Sequence, residues 1–192
     1  MDATALLRPG LLADRVIALG GGEALGSPLA ALGAATPALT ATLDEDAAAA
    51  GVGELLAAHG AIDVLLHDLR PAFAAASTDG HDPLRAALDG AWIAVRAVAN
   101  GAFIPDARGG RVVVVAPPPD GGDPAAAGLR AAAENLARTL SIEWARHAIT
   151  TVAITPGATT DDAQLAALAA YLASPAGAYF SGCRLALGEV TA

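Results

Sequence analysis

Few side chains in this chain could carry chemistry, and two common types are scarce or missing. The sequence contains no lysine, and its cationic side chains other than histidine are eleven arginines. A chain without lysine cannot form a Schiff base or use an ammonium group as a general base. His67 and Asp68 are adjacent after an apolar run and could form an acid–base pair. Because neighbouring residues there point in different directions, a solvated turn is the favoured interpretation.

The other candidates for metal or thiol chemistry also favour plain structural roles. His59 and His81 lie in polar stretches with no partner at metal-ligand spacing, so no metal site is expected. The acidic run Asp44–Asp46 predicts a solvated helix start rather than a cation site, because carboxylates suit a helix N-terminus. Cys183 is the single cysteine, which excludes an intrachain disulfide. A buried structural thiol is expected there, in keeping with a cytoplasmic protein.

Composition and charge exclude several classes of partner. The formal net charge is −9 and the arginines are scattered, so the surface would repel phosphate backbones and no nucleic-acid partner is expected. No apolar run is long enough to span a membrane. Residues 1–12 do not have the pattern of a signal peptide, and a cytoplasmic location is the expectation.

Short apolar runs alternate with alanine-rich helical stretches along the whole chain. The predicted strands are 15–19, 39–43, 62–66, 111–115, 150–154 and 184–187. One predicted helix follows the glycine turn after the first strand, and a second begins at the acidic run 44–46 and ends near 59. Three further helices are predicted over 83–99, over 124–147 with Asp123 as the cap, and over 161–173. This alternation predicts one α/β domain over 1–192, a doubly wound parallel sheet with helices on both faces.

Five segments together resemble the short-chain dehydrogenase/reductase (SDR) family. They are LADRVIALGGGEALG (12–26), IDVLLHDL (62–69), GGRVVVVAP (109–117), AAAENLARTLSIEWARHAITTVAITPG (131–157) and LAAYLASPAGAYFSGCRLAL (168–187). In the family these segments hold the glycine loop, the turn after the fourth strand, the fifth strand, the interface helix with the sixth strand, and the final helix and strand. The resemblance implies a Rossmann-like fold.

The same resemblance implies that the chemistry of the family is missing. SDR enzymes use a Tyr-x-x-x-Lys pair, a serine and an asparagine for hydride transfer. Here Ala126 takes the tyrosine position, Arg130 the lysine position, and Ala87 lies near the asparagine position. The serine position falls on Ala116 or Pro117. We therefore expect no catalytic residue in this chain.

The turn and the loop that would hold a dinucleotide also depart from the family. His67 to Arg70 replace the Asn-Asn-Ala-Gly turn. The glycine loop keeps Gly20 and Gly26 but has Ala24, where a methyl group narrows the approach of a pyrophosphate. Glu23 places a carboxylate in the same turn. We interpret the loop as vestigial and expect this chain to bind no cofactor.

The chain also lacks room for parts of the family's cofactor and substrate sites. Only one strand fits between the first helix and residue 62, where the family has two strands and a helix for the adenosine half. After Pro156-Gly157 the chain passes almost directly into the last helix, without a substrate-covering segment. What remains are the helices near 83–99 and 124–147, which build oligomers in the family, with Trp92 and Trp144 as core or interface anchors.

These features lead to one hypothesis and two alternatives. The hypothesis is a pseudoenzyme subunit that assembles with a catalytically intact SDR paralogue into a heteromeric NAD(P)-dependent oxidoreductase, as a heterodimer or heterotetramer through the helices near 83–99 and 124–147. NAD or NADP would then be held by the partner. One alternative is a nicotinamide-independent enzyme similar to halohydrin dehalogenases, in which an arginine such as Arg130 replaces lysine. The other is a homo-oligomeric module that binds a small ligand in the emptied cleft.

Overall fold

Six parallel strands form the sheet in the computed structural model, which describes residues 7–105 and 107–188. The strands are β1 Ile17–Gly20, β2 Ala38–Leu39, β3 Val64–Asp68, β4 Gly110–Val115, β5 Ile149–Pro156 and β6 Cys183–Leu187. The helices are α1 Gly26–Ala31, α2 Glu45–His59, α3 Arg70–Asp79, α4 Pro83–Val98, α5 Pro124–Glu143 and α6 Asp162–Ala173. A π-helical turn, Ala99–Phe103, continues α4, and short 3-10 turns follow α5 and α6.

The strand order is β2-β1-β3-β4-β5-β6, and every neighbouring pair is parallel. The chain starts in the interior of the sheet at β1, moves outward to β2, and returns to β3 on the other side of β1. This reversal makes the carboxyl ends of β1 and β3 a topological switch point, where open α/β sheets form their ligand crevice. The doubly wound α/β fold predicted from the sequence is confirmed.

Strand β4 lies in the interior of the sheet and is apolar on both faces. Val112 and Val114 pack into the core under α2, α4 and α5, whereas Val113 and Val115 pack into the core under α1 and α6. All four are at most 1% exposed. Burial of each side chain contributes about 1.5–3 kcal/mol. The valine run therefore joins the two cores through the sheet.

Aspartates begin four of the main helices. The side chains of Asp44, Asp82, Asp123 and Asp161 accept hydrogen bonds from backbone N–H groups in the first turns of α2, α4, α5 and α6. These bonds satisfy donors that have no partner inside the helix. The predicted roles of Asp123 and of the acidic run 44–46 are confirmed.

Several boundaries differ from the sequence prediction, and one helix was not predicted. The predicted strand 39–43 overlaps β2 only at Leu39. The helix predicted over 124–147 ends at Glu143, and a 3-10 turn leads to Ala148, whose φ is +55°. The patterns assigned no element to 70–82, yet α3 occupies Arg70–Asp79. Pro71 lies in the first turn of α3, where a backbone N–H would have no partner inside the helix. Proline, which usually ends a helix, is therefore favourable at this helix start.

The shortened regions have the form that the sequence predicted. Between α1 and α2 there is one strand, β2, of two residues. Between β5 and α6 only residues 157–161 intervene. Among the described residues, no helix has both the length and the apolar character needed to cross a membrane.

The N-cap of α5 can be tested directly. The Oδ1 atom of Asp123 accepts a hydrogen bond from the Ala125 N–H at 2.8 Å. We expect Asp123→Ala to lower the free energy of unfolding by about 1 kcal/mol, measured by urea denaturation. Asp123→Asn keeps the acceptor and serves as the control. An equal loss in both variants would contradict this role.

Candidate functional site

The positions that correspond to the family's catalytic residues meet at the carboxyl edge of the sheet, on the side covered by α4 and α5. Ala116 directly follows β4, Ala87 lies on α4, and Ala126 lies on α5. Each is at most 1% exposed. Pro117, the other candidate for the serine position, is buried as well. Methyl groups and a proline ring therefore pack at the positions that the sequence resemblance assigned to the family's hydroxyl, amide and phenol groups, and these side chains have no group that donates or accepts a proton.

Arg130 is half-buried and binds backbone carbonyls on one side. Its Nη1 donates hydrogen bonds to the carbonyl oxygens of Pro117 at 2.8 Å and of Pro156 at 2.7 Å. These two carbonyls lie just after β4 and at the end of β5. The guanidinium thus joins two neighbouring strand ends to α5. An arginine does not lose its proton in proteins, so this contact is structural and provides no general base.

His67 and Asp68 are buried, at 4% and 3% exposure, so the predicted solvated turn is wrong. Both residues belong to β3, which continues two residues beyond the predicted strand. Successive strand residues point to opposite faces, so the two side chains do not form a catalytic pair. The strand continues because His67 pairs in register with Gly20 of β1 and with Val114 of β4.

The imidazole of His67 fills the space beside Gly20. A Cβ atom at Gly20 would lie 2.4 Å from the His67 Nδ1 atom, which is closer than real contacts allow. Packing against His67 therefore explains the glycine at position 20 without a bound pyrophosphate. The next glycine, Gly21, has a φ of +79°, and a Cβ there would lie 2.0 Å from the Asp68 carbonyl oxygen. Close packing against β3, by the His67 side chain at Gly20 and by the Asp68 backbone at Gly21, accounts for both glycines.

Burial keeps His67 neutral. It lowers the pKa of His67 from 6.5 to about 4, although the nearby Asp68 carboxylate raises it in part. The His67 Nδ1 atom and the Thr155 Oγ1 atom are buried without a hydrogen-bond partner among the described residues. Both belong to strand ends at the same edge of the sheet.

Asp68 belongs to an ion-pair network that the sequence analysis missed. Arg70 contacts the Asp68 carboxylate through Nε at 2.9 and 3.1 Å and through Nη2 at 2.7 Å. Its Nη1 contacts Asp162 at 2.6 Å, at the start of α6. The hydrogen bond to Asp68 is the largest of several effects that raise the pKa of Arg70. No local signal could reveal this network, because Asp162 is 92 residues away in the chain.

The other histidines and the cysteine that were considered for metal or thiol chemistry lie in different parts of the fold. His59 ends α2, and His81 is exposed between α3 and α4. Within 7–105 and 107–188, no group of three or more His, Cys, Asp and Glu residues is arranged to hold a metal ion. Cys183 is half-buried rather than buried as expected, and burial raises the pKa of its thiol.

The tryptophans also occupy different environments. Trp144 packs against the hydrophobic core, which is one of the two roles predicted for the tryptophans. Trp92 is 40% exposed on α4, with the Arg96 guanidinium 5.6 Å from its ring centre. Trp92 is therefore a surface residue, and its role as an interface anchor stays a prediction.

Known structures with a similar fold are dehydrogenases and reductases. The citronellol catabolism dehydrogenase AtuB of Pseudomonas aeruginosa PAO1 aligns with a TM-score of 0.77 at 23% identity, covering 95% of this chain and 96% of that one. A hydroxysteroid dehydrogenase from Escherichia coli aligns at 0.76 and 17%, covering 95% and 99%. A 3-ketoacyl-(acyl-carrier-protein) reductase from Brucella melitensis, complexed with NADH, aligns at 0.70 and 18%, covering 91% and 97%.

These similarities show the fold alone, and they confirm the Rossmann-like architecture implied by the sequence. No protein-family model matches the chain. No curated protein matches it either.

The buried His67 predicts a pH dependence of stability. Its folded pKa of about 4 lies below the unfolded value of 6.5, so the unfolded chain binds more protons between these values. The free energy of unfolding that depends on a neutral His67 therefore decreases as the pH falls from 6.5 towards 4. We expect the free energy of unfolding to drop by about 2 kcal/mol from this group between about pH 7.5 and about pH 5.

Urea denaturation at both pH values measures the effect of replacing this group. His67→Leu should remove that part of the pH dependence, whereas His81→Gln, at an exposed position, should keep it. A pH profile that is unchanged in His67→Leu would contradict the burial of a neutral imidazole.

Arg130 should matter for stability. Arg130→Met leaves the carbonyls of Pro117 and Pro156 without the guanidinium, so we expect a loss of about 2 kcal/mol in the free energy of unfolding. Arg138→Met, on the exposed side of the same helix, should change it by less than about 0.5 kcal/mol. Equal losses in the two variants, measured by urea denaturation, would count against a structural role for Arg130.

Proposed function

We propose that this chain is a non-catalytic SDR-like subunit that assembles with a catalytically intact SDR paralogue into a heteromeric NAD(P)-dependent oxidoreductase. One observation carries the proposal. Ala126 is buried at the position of the family's tyrosine, and Arg130, at the position of its lysine, binds two backbone carbonyls. Proton transfer to a carbonyl substrate needs a group of suitable pKa within hydrogen-bond reach, and these positions provide none.

The two tyrosines do not replace the missing phenol. Tyr171 lies on α6 and packs edge-to-face against Phe180. Helix α6 covers the face of the sheet opposite to α5. Tyr179 is 91% exposed just before β6. Neither phenol is buried beside Arg130, so the usual route for carbonyl reduction has no acid in this subunit.

The proposal assigns the NAD or NADP site to the partner. The loop between β1 and α1 packs against the Asp68 backbone, which restricts the approach of a pyrophosphate. Glu23 is exposed on this loop, where its carboxylate opposes a second anion. Helix α1 has only six residues, so its dipole offers little compensation.

An exposed apolar surface on α4 supports the proposed assembly. Trp92 is 40% exposed, and Leu43, beside Gly90 of the same helix, is 65% exposed. Arg96 packs on the Trp92 ring and pairs with Glu45 at 2.8 Å, which restrains the indole. Tryptophan and arginine are among the residue types that dominate binding at interfaces, and Trp92 and Arg96 lie together here.

Affinity purification of this chain from its native host tests the proposal. We expect a full-length reductase to co-elute at fixed stoichiometry. The isolated chain should neither bind NADH or NADPH nor reduce a ketone. Recovery of self-assemblies alone would overturn the heteromeric role, and NAD(P)H-dependent ketone reduction by the pure chain would overturn the non-catalytic one. Turnover of an epoxide or halohydrin would instead support the dehalogenase-like alternative.

A paired substitution tests the surface. Trp92→Glu places a charge at the proposed interface and should weaken the partner's affinity by about tenfold or more, measured by biolayer interferometry. Tyr179→Glu makes the same charge change at another exposed aromatic residue and should leave the affinity unchanged. Equal affinities in the two variants would show that the partner binds elsewhere.

A further inference from the structure

A cavity lies at the amino edge of the sheet, opposite to the carboxyl edge that holds Arg130 and His67. It has a volume of about 640 Å³ and lies at the amino ends of β3, β4 and β5. The end of α5 and the residues just after α6 complete its walls. This size is in the range of sites that hold small organic ligands. None of the described residues that line this cavity belongs to the crevice at the carboxyl edge.

The cavity is cationic in a chain that is strongly acidic. Arg15, Arg108 and Arg111 line it, and Asp63 is the one acidic residue among the described lining residues. The formal net charge of the whole chain is −9. A local excess of guanidinium groups on such a protein concentrates positive potential in one concave surface, which attracts small anions.

The single carboxylate of the cavity is held in place by its neighbours. The Asp63 Oδ2 atom accepts a hydrogen bond from the Val16 N–H at 2.9 Å. Its Oδ1 atom contacts the Arg15 Nη1 atom at 3.3 Å. Asp63 therefore compensates Arg15, and both of its oxygens are already in use.

Arg111 has neutral partners instead of a carboxylate. Its Nη1 donates to the carbonyl of Ser174 at 2.9 Å and to that of Leu172, and its Nε donates to Thr150 Oγ1 at 3.3 Å. Within the described part of the chain it forms no ion pair. Burial and the nearby Arg15 lower the pKa of Arg111. A half-buried cation whose charge is uncompensated gains from a bound anion.

We propose that this cavity binds a small organic dianion that carries a phosphate group or two carboxylates. The guanidinium of Arg111 would contact the anion from within, and Arg15 and Arg108 would contact it from the more exposed side. The forked donors of arginine suit both groups, because each presents paired oxygens. Hydroxyl groups of Thr150 and Ser181 line the same cavity and add neutral donors. The site is independent of the proposed assembly and of the family's nucleotide crevice.

Isothermal titration of the full chain with phenyl phosphate and, separately, with succinate, both organic dianions at mildly alkaline pH, tests the proposal at constant ionic strength. We expect saturable binding of at least one anion, and the stronger of the two identifies phosphate or carboxylate as the preferred group. Arg15→Gln and Arg108→Gln should each weaken binding by about tenfold, since each removes a charged contact. Arg85→Gln, an exposed arginine on α4, is the matched control and should bind as the unaltered chain does.

A substitution of opposite sign sharpens the test. Asp63→Asn keeps an acceptor for the Val16 N–H but removes the competing negative charge, so the anion affinity should rise several-fold. Arg111 also binds the end of α6, and its substitution would mix folding with binding. Titrations in which neither anion gives saturable heat would overturn the proposal. So would equal affinities in Arg15→Gln and Arg85→Gln, or an unchanged affinity in Asp63→Asn.

Discussion

The structure depends on how closely its helices approach the sheet. Helices α4 and α5 present alanine to the strands, and the buried positions on them include Ala91, Ala94, Ala133 and Ala137. A single methyl group lets backbones pack closely and costs no side-chain entropy on folding. The valines of β4 fill the remaining space. The same close approach that stabilises the fold places methyl groups of α4 and α5 at the carboxyl edge of the sheet, where Ala87 and Ala126 are buried.

The polar groups at this edge have been taken over by structural contacts. Arg130 links two strand ends, Arg70 links β3 to α6, and His67 packs on Gly20. In each case a side chain of a type that enzymes use for catalysis is held by carbonyls, carboxylates or burial. A buried polar group that is partly satisfied is costly, and His67 and Thr155 each have one atom without a hydrogen-bond partner in the part of the chain that the structure describes. The edge is thus held together at a cost that a simple apolar core would avoid.

The architecture was predictable from the sequence because it depends on periodicity and on capping residues. Apolar runs located five of the six described strands, the predicted strand 39–43 overlapped β2 only at Leu39, and Asp123 located the start of the longest helix. The surroundings of His67 were not predictable, since strand continuation depended on pairing with β1 and β4. The Arg70–Asp162 contact joins residues far apart in the chain and has no local signature. The cationic cavity likewise requires Arg15 and Arg111, which come together only in the folded sheet.

Strand β6 has one further consequence, for the colloidal behaviour of the protein. In the described part of the chain it is one of the two outer strands of the sheet, the other being β2. Its residues alternate between half-buried and exposed, and the exposed Arg184 reaches Glu134 of α5 at 3.6 Å. Charged side chains on edge strands are one of the features by which proteins discourage edge-to-edge pairing between copies. Arg184 places such a charge on β6.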